Sequence, residues 1–335
     1  MSITRKVSLK DIAEAAGVSV SLVSFVLSNR WKEHRVSPET ACHIQSIAKE
    51  MNYEPNFAAI SLRSGKTKTI GLVVSDIANP FFSQIARELE NQAEKIDNVV
   101  LFGSSDEKAD RMEKVMQNLI KKGVDGLIIV PTEQSHDAIL KLYGRKIPMV
   151  LLDRYFEDLP IDYVALDNFE ASYRATSYLL EKGYSHPCVI AYSMNLINMQ
   201  ERVRGYQQAM IDAGKSNDIQ IEYVDREERE TIIPLISKQL DKGTDGFLFT
   251  TNMIAIQCLY QLEKVQKQTS RSLGLVGFDE TPVYDFFSSP VAYVKQPIDV
   301  LVTKALELLT DKMNKEKKST SQLVPAELVE TLAKN

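Results

Sequence analysis

From Ser8 to Leu27 the apolar residues recur at helical spacing, break once at a glycine, and resume. Ile12, Ala13 and Ala16 share one face, and Ser8 with Asp11 three residues on forms a capping box ahead of them. Gly17 supplies the left-handed backbone that ends a helix at little steric cost. Ser19 caps a second short helix that turns Val23, Val26 and Leu27 inward and leaves Val20, Ser21, Ser24 and Phe25 on its outer face. Ser37-Pro38-Glu39-Thr40 opens a third helix, with proline at its first position and an acid in its first turn. Ile44, Ile47, Ala48 and Met51 form its buried stripe. Tyr53-Glu54-Pro55-Asn56 breaks that helix. The segment Phe57–Arg63 that follows holds about two helical turns, too few to be stable alone in water. It reads as a hinge closed by Ser64-Gly65-Lys66.

From Ile70 the pattern changes to short apolar strands alternating with amphipathic helices. The strands fall at Ile70–Ser75, Val99–Gly103, Gly126–Val130 and Met149–Leu152. A second set lies at Tyr163–Leu166, Cys188–Tyr192, Gln220–Val224, Gly246–Phe249 and Leu273–Gly277. Helices are predicted at Pro80–Ile96, Lys108–Lys122, Phe169–Lys182, Gln200–Ala213 and Ile254–Lys267. Such alternation builds parallel sheets covered on both faces. Two sets of strands imply two sheets and two lobes. The segment Ala292–Pro297, a helix over Ile298–Asn314 and Leu323–Val329 follow the second set and are expected to return across the lobe boundary.

Composition narrows the class without choosing a function. The chain has 335 residues, 44% hydrophobic and 25% charged. It contains no apolar run long enough to span a membrane, and its polar, basic N-terminus lacks the apolar stretch of a signal peptide. Cys42, Cys188 and Cys258 are few and far apart, which suits a reducing cytoplasm and gives no metal-ligand spacing. His34, His43, His136 and His186 are equally scattered, so neither a metal nor a cofactor is expected. The net charge of −5 divides unevenly. Residues 1–66 hold nine basic and six acidic side chains, and the remainder carries the acidic excess. A basic head on an acidic body fits phosphate contact at one end only. Neither GxGxxG nor GxxxxGK[ST] occurs, so a nucleotide site of those kinds is not expected.

Two short helices joined by a tight glycine turn form a helix-turn-helix, the unit that lays its second helix in the DNA major groove. On these residues alone a generic pair of bundled helices has the same pattern. The order of parts then matters. Leu9-Lys-Asp-Ile-Ala-Glu-Ala-Ala-Gly-Val-Ser19, Val23-Ser24 and Asn52-Tyr53-Glu-Pro-Asn56 are followed by Ala59 and Leu62. Next come Ile70-Gly71-Leu-Val-Val, Asn79-Pro80-Phe81-Phe82, Asp125-Gly-Leu-Ile-Ile129, Val276-Gly277-Phe278-Asp279 and Gln296. In this order, nearly end to end, the chain resembles the lactose-repressor/galactose-repressor (LacI/GalR) family of bacterial transcription regulators.

The resemblance implies an α/β protein with an N-terminal three-helix helix-turn-helix domain over 1–55. A hinge helix and linker follow over 56–67, then a two-lobed body with two parallel sheets like a periplasmic binding protein over 68–335. The N-lobe is expected at about 68–166 and 297–325, the C-lobe at about 167–294 and 326–335. It implies a cytoplasmic homodimer on a near-palindromic operator, acting as a repressor and switched by a small effector, a sugar or sugar derivative. The DNA-binding residues implied are Ser8, Ser19, Val20, Ser21, Ser24, Phe25, Asn29, Tyr53, Asn56, Ala59, Leu62 and Arg63. Leu62 matches a leucine that in relatives wedges into the minor groove, an apolar contact that unstacks a base step. Phe25 departs from the long basic side chain many relatives carry, and packing against neighbouring helices is its alternative. Asn29–Arg35 is longer than the usual connection.

Open α/β sheets bind ligands beyond the carboxyl ends of their strands. That rule selects Asp76, Asp153-Arg154, Asp167-Asn168, Asn252 and Asp279. The family pattern carries over Asp76, Phe82, Asp153, Arg202, Asn252, Asp279 and Gln296, with Arg154 and Asn168 beside them, as effector-binding residues. Carboxylates, amides and a guanidinium around a cleft fork onto adjacent hydroxyls or onto a carboxylate. Asp76 and Asp167 have helix capping as their alternative, Asp279 and Arg202 a structural ion pair. Two other functions keep the same body: a solute-binding protein serving a transporter, and an enzyme using cleft aspartates. The helix-turn-helix argues against the first. Against the second, no nucleophile is paired with a base at recognisable spacing.

Overall fold

A computed structural model describes residues 7–53, 65–227, 231–269, 272–287, 290–316 and 320–331, with side chains up to Glu263 in the helix that ends at Thr269. The chain divides into two compact units, Met1–Thr67 and Lys68–Asn335.

In the first unit, α1 (Leu9–Ala16), α2 (Val20–Leu27) and α3 (Pro38–Glu50) enclose a small core of Ile12, Ala13, Val23, Val26, Ala41, Ile44 and Ala48. The caps are those the sequence predicts. Ser8 and Asp11 make both halves of a capping box, and Gly17 ends α1 at φ 64°. The Ser19 hydroxyl accepts the Leu22 N–H, and Ser37 caps α3 ahead of Pro38. Ile47 and Met51 sit at the edge of the core and not within it. The predicted hinge, with Asn56, Ala59, Leu62 and Arg63, lies outside the described residues.

The second unit runs β1 (Thr69–Val74), α4 (Pro80–Lys95), β2 (Val99–Ser104), α5 (Ala109–Lys121), β3 (Gly126–Ile129), α6 (His136–Tyr143), β4 (Met149–Leu152) and β5 (Tyr163–Leu166). There follow α7 (Asn168–Glu181), β6 (Pro187–Tyr192), α8 (Ile197–Asp212), β7 (Gln220–Val224), α9 (Ile232–Asp241), β8 (Gly246–Phe249), α10 (Asn252–Thr269) and β9 (Gly274–Phe278). It closes with β10 (Ala292–Lys295), α11 (Ile298–Met313), β11 (Gln322–Val324) and β12 (Glu327–Glu330). Two six-stranded sheets result, ordered β11-β5-β4-β3-β1-β2 and β12-β10-β9-β8-β6-β7. Central strands such as β3, β4 and β8 are buried at every residue, as strands covered on both faces must be.

The first sheet packs α4 and α11 on one face and α5 with α6 on the other. The second packs α9 and α10 on one face and α7 with α8 on the other. Four expectations need correction. Strand β5, expected to open the second set, pairs with β4 and β11 in the first sheet. Helices α6 and α9 were not singled out by the sequence pattern. The closing segment is two strands, not one: β11 pairs parallel with β5 in the first sheet, while β12 pairs antiparallel with β10 in the second. The second sheet is therefore not wholly parallel. Finally, α8 begins at Ile197, three residues before the expected Gln200, with Asn198 and Met199 buried in its first turn.

The two sheets repeat one topology. Strand for strand, β4 corresponds to β9 and β5 to β10. Asp125 and Asp245 stand before the corresponding β3 and β8. The Asp125 carboxylate accepts the Lys68 N–H, and that of Asp245 accepts the N–H groups of Ser185 and His186.

Candidate functional site

In the second unit the strand rule brings polar side chains to the carboxyl ends of both sheets. Asp153 follows β4 and Asp279 follows β9, equivalent positions in the repeat. Both backbones are left-handed, at φ 66° and 68°. Both N–H groups bond the next strand, Asp153 to the Val164 carbonyl at 2.9 Å and Asp279 to that of Val294 at 3.0 Å. Left-handed non-glycine residues are uncommon and concentrate at functional sites. Each lobe thus carries one buried carboxylate at the equivalent position of its sheet.

Cations and amides surround them. The Arg154 guanidinium donates twice to Glu107, both bonds at 2.8 Å, and once to the Pro131 carbonyl at 3.1 Å. It lies 5.6 Å from the Phe82 ring centroid. Arg202, on α8, donates to Asn168 Oδ1 at 2.7 Å and to the Thr250 carbonyl, and stacks 4.0 Å from the Phe278 ring centroid. Asn168 spends its own N–H on the Leu166 carbonyl, so its amide orients Arg202. Gln296 donates to Asp279, and Asn252 donates to Asn79 Oδ1 at 3.3 Å from the opposite lobe. Asp153, Arg154, Asn168, Arg202, Asn252, Asp279 and Gln296 are all buried.

Burial is the largest influence on the acids. It raises the Asp153 carboxyl to about 6 against the pull of Arg154 and Arg202. It raises Asp279 as well, while Arg202 and the hydrogen bonds from Gln296 and the Asn252 backbone oppose it. For Arg202, burial outweighs the two aspartates and lowers the guanidinium from its ordinary value.

Asp76 stands apart from this cluster. Its Oδ1 accepts the Ala78 N–H at 2.9 Å, and its Oδ2 is ion-paired with Arg226, which follows β7 in the other lobe. A cavity of about 60 Å³ lies between the lobes, lined by Asp76, Phe82 and Arg154 on one side and Tyr192, Met199 and Arg226 on the other. Asp167 caps α7 by accepting the Glu170 N–H, and Phe81 is core. Glu107 and Arg226 are not among the residues the sequence pattern selects, and Phe278 enters there only as part of the Val276–Asp279 motif, with no site role. Glu107 and Arg226 also follow strand ends, so the same rule applied to β2 and β7 would have found them.

In the first unit, Val20 is 43% exposed and Ser21 is exposed, at the start of α2. Ser24 and Phe25 are half-buried. The Phe25 ring stacks on His34, centroids 3.5 Å apart, and so packs against the long connection and not against a helix. That connection is folded: Asn29 and Arg35 are left-handed, Arg30 pairs with Glu33 at 2.8 Å, and Lys32 lies over Trp31. The hydroxyls of Ser8 and Ser19 serve as caps, and Tyr53 packs against the helical core.

A helix-turn-helix unit joined to a two-sheet body with a buried polar cleft defines a class: DNA-binding proteins with a ligand-clamping domain. Residues 8–56 match the profile of bacterial regulatory proteins, lacI family, and residues 67–328 that of periplasmic binding proteins and the sugar-binding domain of the LacI family. The chain belongs to the LacI family of bacterial regulatory proteins, and it is a DNA-binding regulator of transcription, not an enzyme. It is 28% identical over 330 residues to the HTH-type transcriptional regulator DegA of Bacillus subtilis, covering 97% of each chain. It is 29% identical over 315 residues to the regulator RegA of Clostridium saccharobutylicum, covering 92% of this chain and 93% of that one. Its fold matches a lac repressor dimer bound to operator and the anti-inducer ONPF, at TM-score 0.83 and 20% identity, over 97% of this chain and 98% of that one. Among the described residues no helix is long and apolar enough to cross a membrane.

Proposed function

We propose that the protein is a cytoplasmic repressor that binds a near-palindromic operator as a homodimer and changes its grip when a sugar or sugar derivative enters the cleft. The observation that carries this reading is one chain holding both a helix-turn-helix and a buried cleft with a carboxylate from each lobe. Residues 1–55 read the major groove, with Val20 and Ser21 at base edges. An apolar side chain there meets thymine methyls, and a hydroxyl bonds either kind of base. Asn29 and the caps at Ser8 and Ser19 lie toward phosphate, since helix N-termini favour anions. Residues 56–67 link head to body, and Asn56, Ala59, Leu62 and Arg63 are assigned to DNA by sequence alone.

The body, 68–335, binds the effector through Asp153, Arg154, Arg202, Asn252, Asp279 and Gln296, with Phe82 as an apolar wall and Asn168 orienting Arg202. Asp76 serves the cleft mouth. Transcription regulators of the same fold with small ligands support this: solved structures include a Cra regulator with fructose 1-phosphate and a CelR–cellobiose complex. The test is binding of fluorescent genomic fragments against random duplex, with and without sugars. A preferred fragment whose affinity moves at least tenfold with one sugar is expected. Equal affinity for all duplexes, whatever metabolite is added, would refute the reading.

A further inference from the structure

The atoms left unpartnered inside the cleft say what kind of molecule completes it. Among the described residues, buried side-chain atoms without a hydrogen-bond partner include Asp153 Oδ1, Asn252 Oδ1, Gln296 Oε1 and Arg154 Nε; the others are Ser75 Oγ and Gln257 Oε1. Three of the four in the cluster are acceptors. An unsatisfied buried acceptor is costly, so a ligand that fits must bring N–H or O–H donors to it. A hydroxyl does so while accepting from a donor such as Arg154 Nε.

The charges point the same way. A carboxylate or phosphate is held most firmly by a guanidinium free to fork onto it. Arg154 is already forked onto Glu107, and Arg226 is paired with Asp76. Arg202 is held by Asn168 and the Thr250 carbonyl beside Asp279. Once those partners are matched, Asp153 remains as an acid whose nearest cation, Arg154 at 3.6 Å, is committed elsewhere. Among the described residues, an anion entering here meets a surplus of negative charge.

We infer that the effector is an uncharged, hydroxyl-rich compound, a neutral sugar or polyol, and that phosphorylated sugars and sugar acids are excluded by the same cluster. The inference rests on the cleft being the effector site. Asp153 takes a ligand hydroxyl at Oδ1, and Asn252 and Gln296 take two more.

Thermal unfolding of the full chain with paired ligands tests it. The neutral set is D-glucose, D-galactose, D-ribose, D-fructose, maltose, cellobiose and mannitol; the charged set is the hexose 6-phosphates, ribose 5-phosphate, gluconate and glucuronate. At least one neutral compound is expected to raise Tm by about 5 °C or more at a hundredfold excess over its Kd. Its anionic counterpart should give no rise. A charged compound that outperforms its neutral parent overturns the inference and leaves the effector cleft standing. No shift with any compound removes the sugar-effector reading itself. Asp153→Asn separates ligand contact from scaffold: its unliganded Tm should hold or rise, with the sugar affinity reduced at least tenfold. A fall in unliganded Tm with sugar affinity intact makes Asp153 a structural residue and overturns its part.

Discussion

Asp153 combines a left-handed backbone, worth about 1–3 kcal/mol of strain, with a carboxyl that burial holds at about 6. In the unfolded chain such a group titrates near ~3.9. Between those values the folded chain keeps the proton that the unfolded chain has lost. The stability this group adds is therefore present in acid and disappears as pH rises through about 6. Hydroxyls donating to the carboxylate favour its charged form, so ligand affinity follows the opposite course. Arg154 and Arg202 oppose the rise, while Asp279 and Glu107 add to it. Sugar affinity measured by calorimetry should be up to about tenfold weaker at pH 5 than at pH 7.5. A flat profile would mean that Asp153 does not meet the ligand. The left-handed backbones of Asp153 and Asp279 had no sequence signature. The acids themselves did, because they follow apolar strands directly. Phe25 was legible as a departure but not in its partner, since His34 reaches it only once the connection folds.

Elements position these residues through close packing. Helices α7 and α8 touch at Gly205, where an added Cβ would stand 2.2 Å from the Phe169 carbonyl oxygen. Backbone cannot yield as a flexible side chain does. Gly205→Ala should therefore lower stability by about 1–3 kcal/mol, visible in chemical denaturation, and should weaken sugar binding because α8 carries Arg202. Unchanged stability would mean that the helices have room to separate. In the head, Ser19→Ala removes the hydrogen bond to the Leu22 N–H and should cost about 0.5–2 kcal/mol. Head melting followed by circular dichroism checks it. Long helices with clear stripes, such as α4, were readable in advance. The eight-residue α6 and the Pro234-bearing α9 were not, because a short helix shows too few turns of periodicity and depends on its neighbours.

Across the body, the Asp76–Arg226 pair and the Asn79–Asn252 bond hold the lobes together around a cavity of about 60 Å³. At ~10–15 Å³ for each water, that cavity admits a few solvent molecules; under the proposed function, a sugar lodging between Asp76 and Arg226 requires the lobes to part. Arg226→Ala should speed sugar association in stopped-flow measurements. It should change Tm by only a few degrees, since a partly exposed pair contributes about 1 kcal/mol or less. Unaltered association would show that the pair does not gate the cleft.

The internal repeat is present in the sequence, as Lys122-Gly123-Val-Asp125-Gly126 and Lys242-Gly243-Thr-Asp245-Gly246, but so short a match gives no sign by itself that two whole sheets share a topology. Caps, strand runs and the order of motifs were determined by the sequence alone, since each depends on neighbours within a few positions. The tertiary structure decided which guanidinium meets which carboxylate. Glu107 reaches Arg154, and Asp76 reaches Arg226 across the lobes, over separations of 47 and 150 residues. The first pairing depends on the order of strands within one sheet and the second on how the two sheets meet, and no local pattern encodes either.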